Sequence, residues 1–173
     1  ARFYSHWGID PRAVARALWV DLKEGEWVQG GSTLTQQLVK NFYLTQERTL
    51  YRKIVEAIMA LMLEARYTKP EILEAYLNEI YLGQRGDMGV YGVGEASIFY
   101  FGKEVERLTT AESALLAGVS RSPRANNPQS APARAQATRD RVVRRRATLQ
   151  MNGADEAAAA IKESIPSRPK ARA

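Results

Sequence analysis

Apolar residues recur at helical spacing from Asp10 to about Val119, and no segment shows the alternation of apolar and polar residues that is typical of a half-buried strand. Helix start signals agree with this periodicity. Proline follows Asp10, and Thr68 and Thr109 are each followed three residues later by a glutamate, which is the capping-box pattern. The sequence therefore predicts a mainly α-helical domain.

Three segments interrupt the helical pattern. Residues 25–31 and 83–94 are rich in glycine and are predicted to be loops, and residues 120–135 combine proline, serine and asparagine. Residues 136–151 are then predicted to form a basic helix, and the tail from Ile165 is predicted to be a linker. We expect helices joined by clear breaks.

Composition limits the chemistry that this chain can perform. With 173 residues, 45% of them apolar, the chain can bury one hydrophobic core. It has no cysteine, and His6 is its one histidine, which disfavours disulfide frameworks, zinc clusters and the serine, thiol and zinc hydrolases. No run of 18 apolar residues occurs, so no membrane span is predicted.

The net charge of +6 favours an anionic partner, but its distribution is uneven. Residues 1–120 carry 13 Lys/Arg and 15 Asp/Glu, whereas residues 121–173 carry 12 and 4. The excess positive charge therefore belongs to the last third of the chain. A nucleic-acid partner would depend on that tail alone, and we expect none.

Residues 52–63 place Arg52, Lys53 and Glu56 on one face of a helix that is apolar on nearly every side after Glu56. This pattern predicts a buried helix. A buried carboxylate needs a partner or a function. It could form a structural ion pair within the helix, or it could belong to a site where two cations hold a phosphate-bearing ligand.

Residues 30–41 place two glycines before a helix that Ser32 can cap. One face of this helix is polar and the other is predicted to be core, the polar residues being Thr33, Gln36, Gln37 and Lys40 and the core residues Leu34, Leu38 and Phe42. The N-terminus of such a helix can bind an anion, because its free N–H groups point outward. The alternative is an ordinary capped amphipathic helix.

Five motifs follow one another in a recognisable order. They are RFYSHWGID at 2–10, QGGSTLTQQLVKN at 29–41, RKIVEAIMALMLEARYTKPEILEAYLNEIYLGQ at 52–84, YGVGEASIFYFGK at 91–103 and LTTAESALLAGVSRSPRANNP at 108–128. In this order they resemble the motifs of the family 51 peptidoglycan glycosyltransferases. These are the glycan-polymerising domains of class A penicillin-binding proteins and of monofunctional enzymes.

The resemblance implies an all-α, lysozyme-like glycosyltransferase domain with a small membrane-proximal lobe over residues 1–128, truncated at its N-terminus. Residues 129–173 would lead towards an absent transpeptidase domain of a bifunctional parent. The implied reaction polymerises lipid II into β-1,4 glycan strands with inversion. The 4-hydroxyl of the acceptor sugar attacks C1 of a chain that is carried on polyprenyl diphosphate.

The resemblance also implies roles for the residues that match the functional positions of the family. Glu56 corresponds to a glutamate that assists the departing diphosphate directly or through a metal. The cations that bind the diphosphate correspond to Lys40, Arg52 and Lys53. Polar residues of the same pocket correspond to Ser32, Gln37 and Asn41, and the first motif contributes Phe3, His6 and Gly8. The resemblance implies no certain cofactor, and a divalent metal, Mg²⁺ or Mn²⁺, could take part.

The family's general-base glutamate would stand two residues before Ala1, so the resemblance implies that this chain alone is nearly inactive. A module that binds lipid diphosphate without catalysis is therefore one alternative. A lytic transglycosylase is another, disfavoured because the motifs at 30–37 and 52–56 serve a diphosphate donor. The implied partners are lipid II, the growing glycan chain, the cell-wall synthesis machinery and the outer, periplasmic face of the bacterial inner membrane.

Overall fold

The computed structural model describes residues 3–12, 14–15, 19, 31–43, 49–149, 151 and 153–165, without the side chains of Tyr43 and Leu50. The mainly α-helical prediction is confirmed. The chain divides into two compact units, residues 1–79 and 80–173. The predicted domain boundary between residues 128 and 129 stays a prediction.

The first unit begins with a 3-10 helix at Phe3–Ser5. A helix then starts at Pro11 as predicted, because the Arg12 N–H donates to Asp10 Oδ1 over 3.1 Å and the Val14 N–H donates to the Asp10 carbonyl over 3.0 Å. The predicted end of this helix at Gly25 lies outside the described residues. So does the predicted loop, except for its last residue.

Three further helices build the rest of this unit. They are α1 (Leu34–Tyr43), α2 (Leu50–Arg66) and α3 (Lys69–Glu79). The α1 helix packs against both of the others. Their buried apolar residues are Leu38, Val39, Ala60, Ile72 and Tyr76. At the start of α3, the Thr68 hydroxyl and backbone N–H both donate to Glu71 over 2.7 Å and lower the pKa of that carboxyl.

The prediction that α2 is buried on nearly every side is wrong. One face of the helix is exposed, with Tyr51 at 77% of its maximal accessible surface, and this face also carries Ile54, Ile58, Leu61 and Met62. Phe42, predicted as core, is also 49% exposed. A helix with apolar residues on every side can be buried on any of them. Which sides are buried depends on how many other elements pack against the helix.

The second unit starts with an antiparallel hairpin of β1 (Tyr81–Arg85) and β2 (Met88–Tyr91), where a loop was predicted. Its glycines interrupt the alternation of apolar and polar residues by which a strand is predicted. Two of them, Gly83 and Gly89, are closely approached by other side chains. A side chain at Gly83 would collide with the Tyr100 hydroxyl, which donates to the Leu82 carbonyl over 2.8 Å. Burial, with a smaller contribution from Tyr81, raises the pKa of Tyr100 to about 12.

The remaining elements are α4 (Gly92–Phe101), a 3-10 helix (Val105–Arg107), α5 (Thr110–Arg121), α6 (Pro132–Thr148) and α7 (Ala154–Lys162). The capping box predicted at Thr109 and Glu112 is confirmed. Helices α5, α6 and α7 share one apolar cluster, made of Ala111, Ala114, Val143, Ala157 and Ala160. The basic helix predicted at 136–151 is therefore α6, shifted towards the N-terminus.

Not every arginine of α6 faces solvent. Arg139 is 1% exposed, and its guanidinium donates to the Glu163 and Ile161 carbonyls at the end of α7 and to Asp140. It thereby satisfies carbonyls that the end of a helix leaves open. No helix in the described part of the chain is long and apolar enough to cross a membrane.

Candidate functional site

Glu56 is the centre of the candidate site. Although it is a carboxylate, it is only 1% exposed. Lys53 Nζ donates to Oε1, and Arg52 Nη1 lies 3.6 Å from Oε2. All three residues lie in the first two turns of α2, so their spacing of three and four residues brings them to one face. The sequence prediction of two cations around a buried carboxylate is confirmed by this geometry.

Arg52 keeps hydrogen-bonding capacity that the fold does not use. Its Nε and Nη1 atoms are buried, and neither donates a hydrogen bond to any residue that the structure describes. At 3.6 Å, the approach of Nη1 to Glu56 is an ion pair but too long for a hydrogen bond. Buried donors without an acceptor are rare and demand an explanation. An anionic ligand beside Glu56 would provide one.

Ser32 does not cap α1, contrary to the prediction, whereas its place in the substrate pocket stays a prediction. The residue that caps α1 is Thr33: its Oγ1 accepts from the Gln36 N–H over 3.2 Å, and Gln36 Oε1 accepts from the Thr33 N–H over 2.9 Å. Ser32 Oγ instead accepts from Lys53 Nζ over 2.6 Å. The Thr-x-x-Gln spacing at 33–36 is itself a capping-box signal that the sequence offered.

The other predicted ligands lie on α1, and none of them forms a hydrogen bond or ion pair with Glu56 in the described part of the chain. Gln37 is exposed, and its Oε1 lies 3.5 Å from the Tyr76 hydroxyl of α3, near the long limit of a hydrogen bond. Lys40 and Asn41 are exposed on the next turn of α1. The structure thus brings Ser32, Arg52, Lys53 and Glu56 together, and the role assigned to each of these residues and to Gln37, Lys40 and Asn41 stays a prediction.

Residues 3–9 of the first motif lie against α2 and the start of α3. Gly8 has a φ of +66°, and a Cβ at this position would lie 2.9 Å from the carbonyl oxygen of Ala60, one helical turn after Glu56. The Gly8 carbonyl accepts from the Thr33 hydroxyl. The first motif, the start of α1 and the buried side of α2 therefore meet at one place.

Replacing Gly8 with alanine is expected to lower the melting temperature by roughly 4 °C or more. A left-handed φ costs a residue with a side chain about 1–2 kcal/mol, and the contact with Ala60 adds to this. The control is Gly86→Ala, since Gly86 has a φ of +58° but open space around its Cβ. Calorimetry of both variants separates the cost of the left-handed φ from the cost of the contact with Ala60. An equal loss in both would contradict the close approach of Gly8 to α2.

A second polar cluster, which sequence reasoning missed, lies two turns further along α2. Glu64 Oε1 accepts from the Thr35 hydroxyl over 2.6 Å and from Lys69 Nζ over 2.7 Å. Lys69 Nζ also donates to the His6 carbonyl over 2.6 Å and lies 4.5 Å from the centre of the Phe3 ring. No local pattern could reveal this cluster, because Thr35 and Glu64 are 29 residues apart.

The groups around Glu56 do not fit a divalent metal. Mg²⁺ and Mn²⁺ take oxygen ligands, but both carboxylate oxygens of Glu56 already face a cation. A metal would have to displace Lys53 or Arg52. No group of three or more histidine, aspartate or glutamate side chains in the described part of the chain could hold a metal. Lys53 and Arg52 themselves provide the positive charge.

The chain is similar to several known proteins. A family model described as Transglycosylase matches residues 1–147. The chain is 51% identical to penicillin-binding protein 1B of Vibrio cholerae over 142 residues, covering 82% of this chain and 18% of that protein. It is 50% identical to penicillin-binding protein 1A of Escherichia coli over 145 residues, covering 84% and 17%.

A solved structure is similar as well. The crystal structure of penicillin-binding protein 1A from Haemophilus influenzae matches 76% of this chain and 16% of its own, with a TM-score of 0.51 and 30% sequence identity. The chain spans less than one fifth of the length of these curated relatives.

Proposed function

Because the chain belongs to the transglycosylase family of the class A penicillin-binding proteins, we propose that it is the part of such a protein that polymerises lipid II into peptidoglycan strands. The donor is a glycan chain on polyprenyl diphosphate, and the acceptor is a sugar with a free 4-hydroxyl. The reaction takes place at the outer face of the inner membrane.

One observation carries the proposal: the buried N–H groups of Arg52 find no acceptor in the described chain, although they lie beside the Glu56 carboxylate. Their partner is the diphosphate of the donor. Guanidinium groups suit such a ligand because their planar arrangement of donors matches phosphate oxygens. Lys53, tethered between Ser32 and Glu56, adds a second positive charge at the same place.

The chemistry requires charge stabilisation at the leaving group. The bond between C1 and the diphosphate oxygen breaks, a bond forms between C1 and O4 of the acceptor, and the proton of the acceptor hydroxyl passes to a carboxylate base. Negative charge develops on the departing diphosphate, where Arg52 and Lys53 stabilise it. Glu56 orients both cations and assists the departure of the diphosphate. Lys40, Gln37 and Asn41 contact the donor from the exposed side of α1.

The test is a polymerisation assay with lipid II. The chain is prepared as given and with Glu-Asp placed before Ala1, and glycan products are separated by gel electrophoresis. We expect long glycan strands from the extended chain and almost none from the chain as given. Both should bind farnesyl diphosphate, a soluble polyprenyl diphosphate. Binding without product from the extended chain would favour a non-catalytic module, and shortening of added glycan strands would favour a lytic enzyme.

A further inference from the structure

We propose that Lys69 is a positioning residue, which together with Glu64 and Thr35 fixes residues 3–9 against α2, with Gly8 one helical turn after Glu56. The proposal rests on the proposed function, since it concerns how a segment beside that site is held. It concerns residues that do not touch Glu56.

The cluster joins four parts of the first unit through one buried carboxylate. The Glu64 side chain on α2 is 4% exposed and Thr35 on α1 is 0% exposed. Lys69, the first residue of α3, is 18% exposed at its side chain and reaches Glu64 and the His6 carbonyl at once. A buried, hydrogen-bonded charge of this kind specifies one arrangement of its partners, because any other leaves the charge unpaired.

Residues 3–9 include two large side chains that the fold leaves exposed, so the polar anchor contributes to holding the segment. Tyr4 and Trp7 are 68% and 73% exposed. A cavity of about 520 Å³, lined by residues 4–7 and 64–69, lies between this segment and the junction of α2 and α3. Contacts that link the segment to the helices include those of Lys69 with the His6 carbonyl and the Phe3 ring, and those of Gly8 with Thr33 and Ala60.

The position of this segment matters for the reaction. Gly8 touches the helix one turn after Glu56, and Thr33 next to Ser32 holds its carbonyl. A carboxylate base placed before Ala1 would be only a few residues from Phe3, whose ring lies under the Lys69 ammonium. Displacing a reacting group by about 1 Å can cost 10²-fold in rate. Loss of the anchor should therefore impair turnover rather than donor binding.

The experiment separates positioning from stability with four variants. Lys69→Met removes the ammonium group that donates hydrogen bonds to the His6 carbonyl and to Glu64, and it leaves the Glu64 charge buried without a cation. Both the melting temperature and kcat should therefore fall. Lys69→Met with Glu64→Gln removes that charge too, while glutamine still accepts from Thr35. We expect this double variant to regain most of its melting temperature, but kcat should stay about 10- to 100-fold below the reference because the His6 carbonyl still lacks its donor.

Lys69→Arg keeps the charge and the donors, and it should restore kcat. Lys103→Met is the matched control, because it breaks an ion pair of the same 2.7 Å length, to Glu112, in the second unit. It should lower the melting temperature without lowering kcat. Rates are measured on the chain with Glu-Asp before Ala1. In the double variant, KM for the glycan donor should change by less than about threefold, since Arg52 and Lys53, which bind its diphosphate, are unchanged.

Hydrogen exchange on the chain as given provides a readout that does not need turnover. Amides of residues 3–9 should exchange faster in the double variant and at the reference rate in Lys103→Met. If kcat recovers with the melting temperature in the double variant, or if exchange of residues 3–9 is unchanged, Lys69 is only structural and the proposal is overturned. An unmodified extended chain that makes no glycan overturns the proposed function instead.

Discussion

Glu56→Gln is expected to lower the rate of glycan polymerisation by about 10²- to 10⁴-fold, the range typical of an acid–base group in a transition state. Glutamine keeps the shape of the side chain and can still accept a hydrogen bond from Lys53. It removes the negative charge that holds Arg52 and Lys53 in their orientation. The rate is measured with lipid II on the chain extended by Glu-Asp.

Binding of farnesyl diphosphate, followed by calorimetry, distinguishes catalysis from ligand affinity in the same variant. The affinity of Glu56→Gln for farnesyl diphosphate should be unchanged or higher, because the substitution removes a negative charge next to the bound anion. Glu74→Gln is the control, since Glu74 is an exposed carboxylate on α3. A variant at Glu56 that polymerises at the reference rate would remove this residue from the mechanism and leave it as a structural ion-pair partner.

Arg52→Met is expected to weaken the binding of farnesyl diphosphate by about 10- to 100-fold, which corresponds to losing one or two charge-assisted hydrogen bonds. Methionine fills a similar volume but has no donor for an anion. The dissociation constant is measured by calorimetry on the chain as given, so the result does not depend on turnover. Arg52→Lys should be intermediate, because lysine keeps the charge but not the paired donors.

Arg66→Met provides the matched comparison, because Arg66 is an exposed arginine in the last turn of the same helix. It should leave the dissociation constant within about twofold of the reference, as expected for a screened surface charge. Equal weakening by Arg52→Met and Arg66→Met would show that the ligand responds to the overall charge. The assignment of the buried Arg52 donors to the diphosphate would then be wrong.

The sequence predicted those features of the site that depend on neighbours along one helix. Arg52, Lys53 and Glu56 are three or four residues apart, so helical geometry alone brings them together. The capping box at Thr109 and Glu112 is equally local. Ser32 and Lys53 are 21 residues apart in the chain, and Thr35 and Glu64 are 29 residues apart. Helical periodicity cannot predict contacts over such separations.

The errors have the same origin. The hairpin at 81–91 depends on Gly83, which leaves room for Tyr100, a residue that follows the hairpin in the chain and packs against it. The exposed face of α2, from Tyr51 to Met62, looks like core in the sequence because hydropathy alone does not count the helices available to cover it. Tertiary neighbours, rather than local preference, decided both outcomes.

The tether on Lys53 has a further consequence, in entropy. A free lysine side chain has four rotatable bonds, and fixing them when a ligand arrives costs about 1–2 kcal/mol. In this fold, Ser32 and Glu56 already hold the ammonium group before any ligand is present. That entropic cost is therefore borne during folding, and the donor meets a charge that needs no rearrangement.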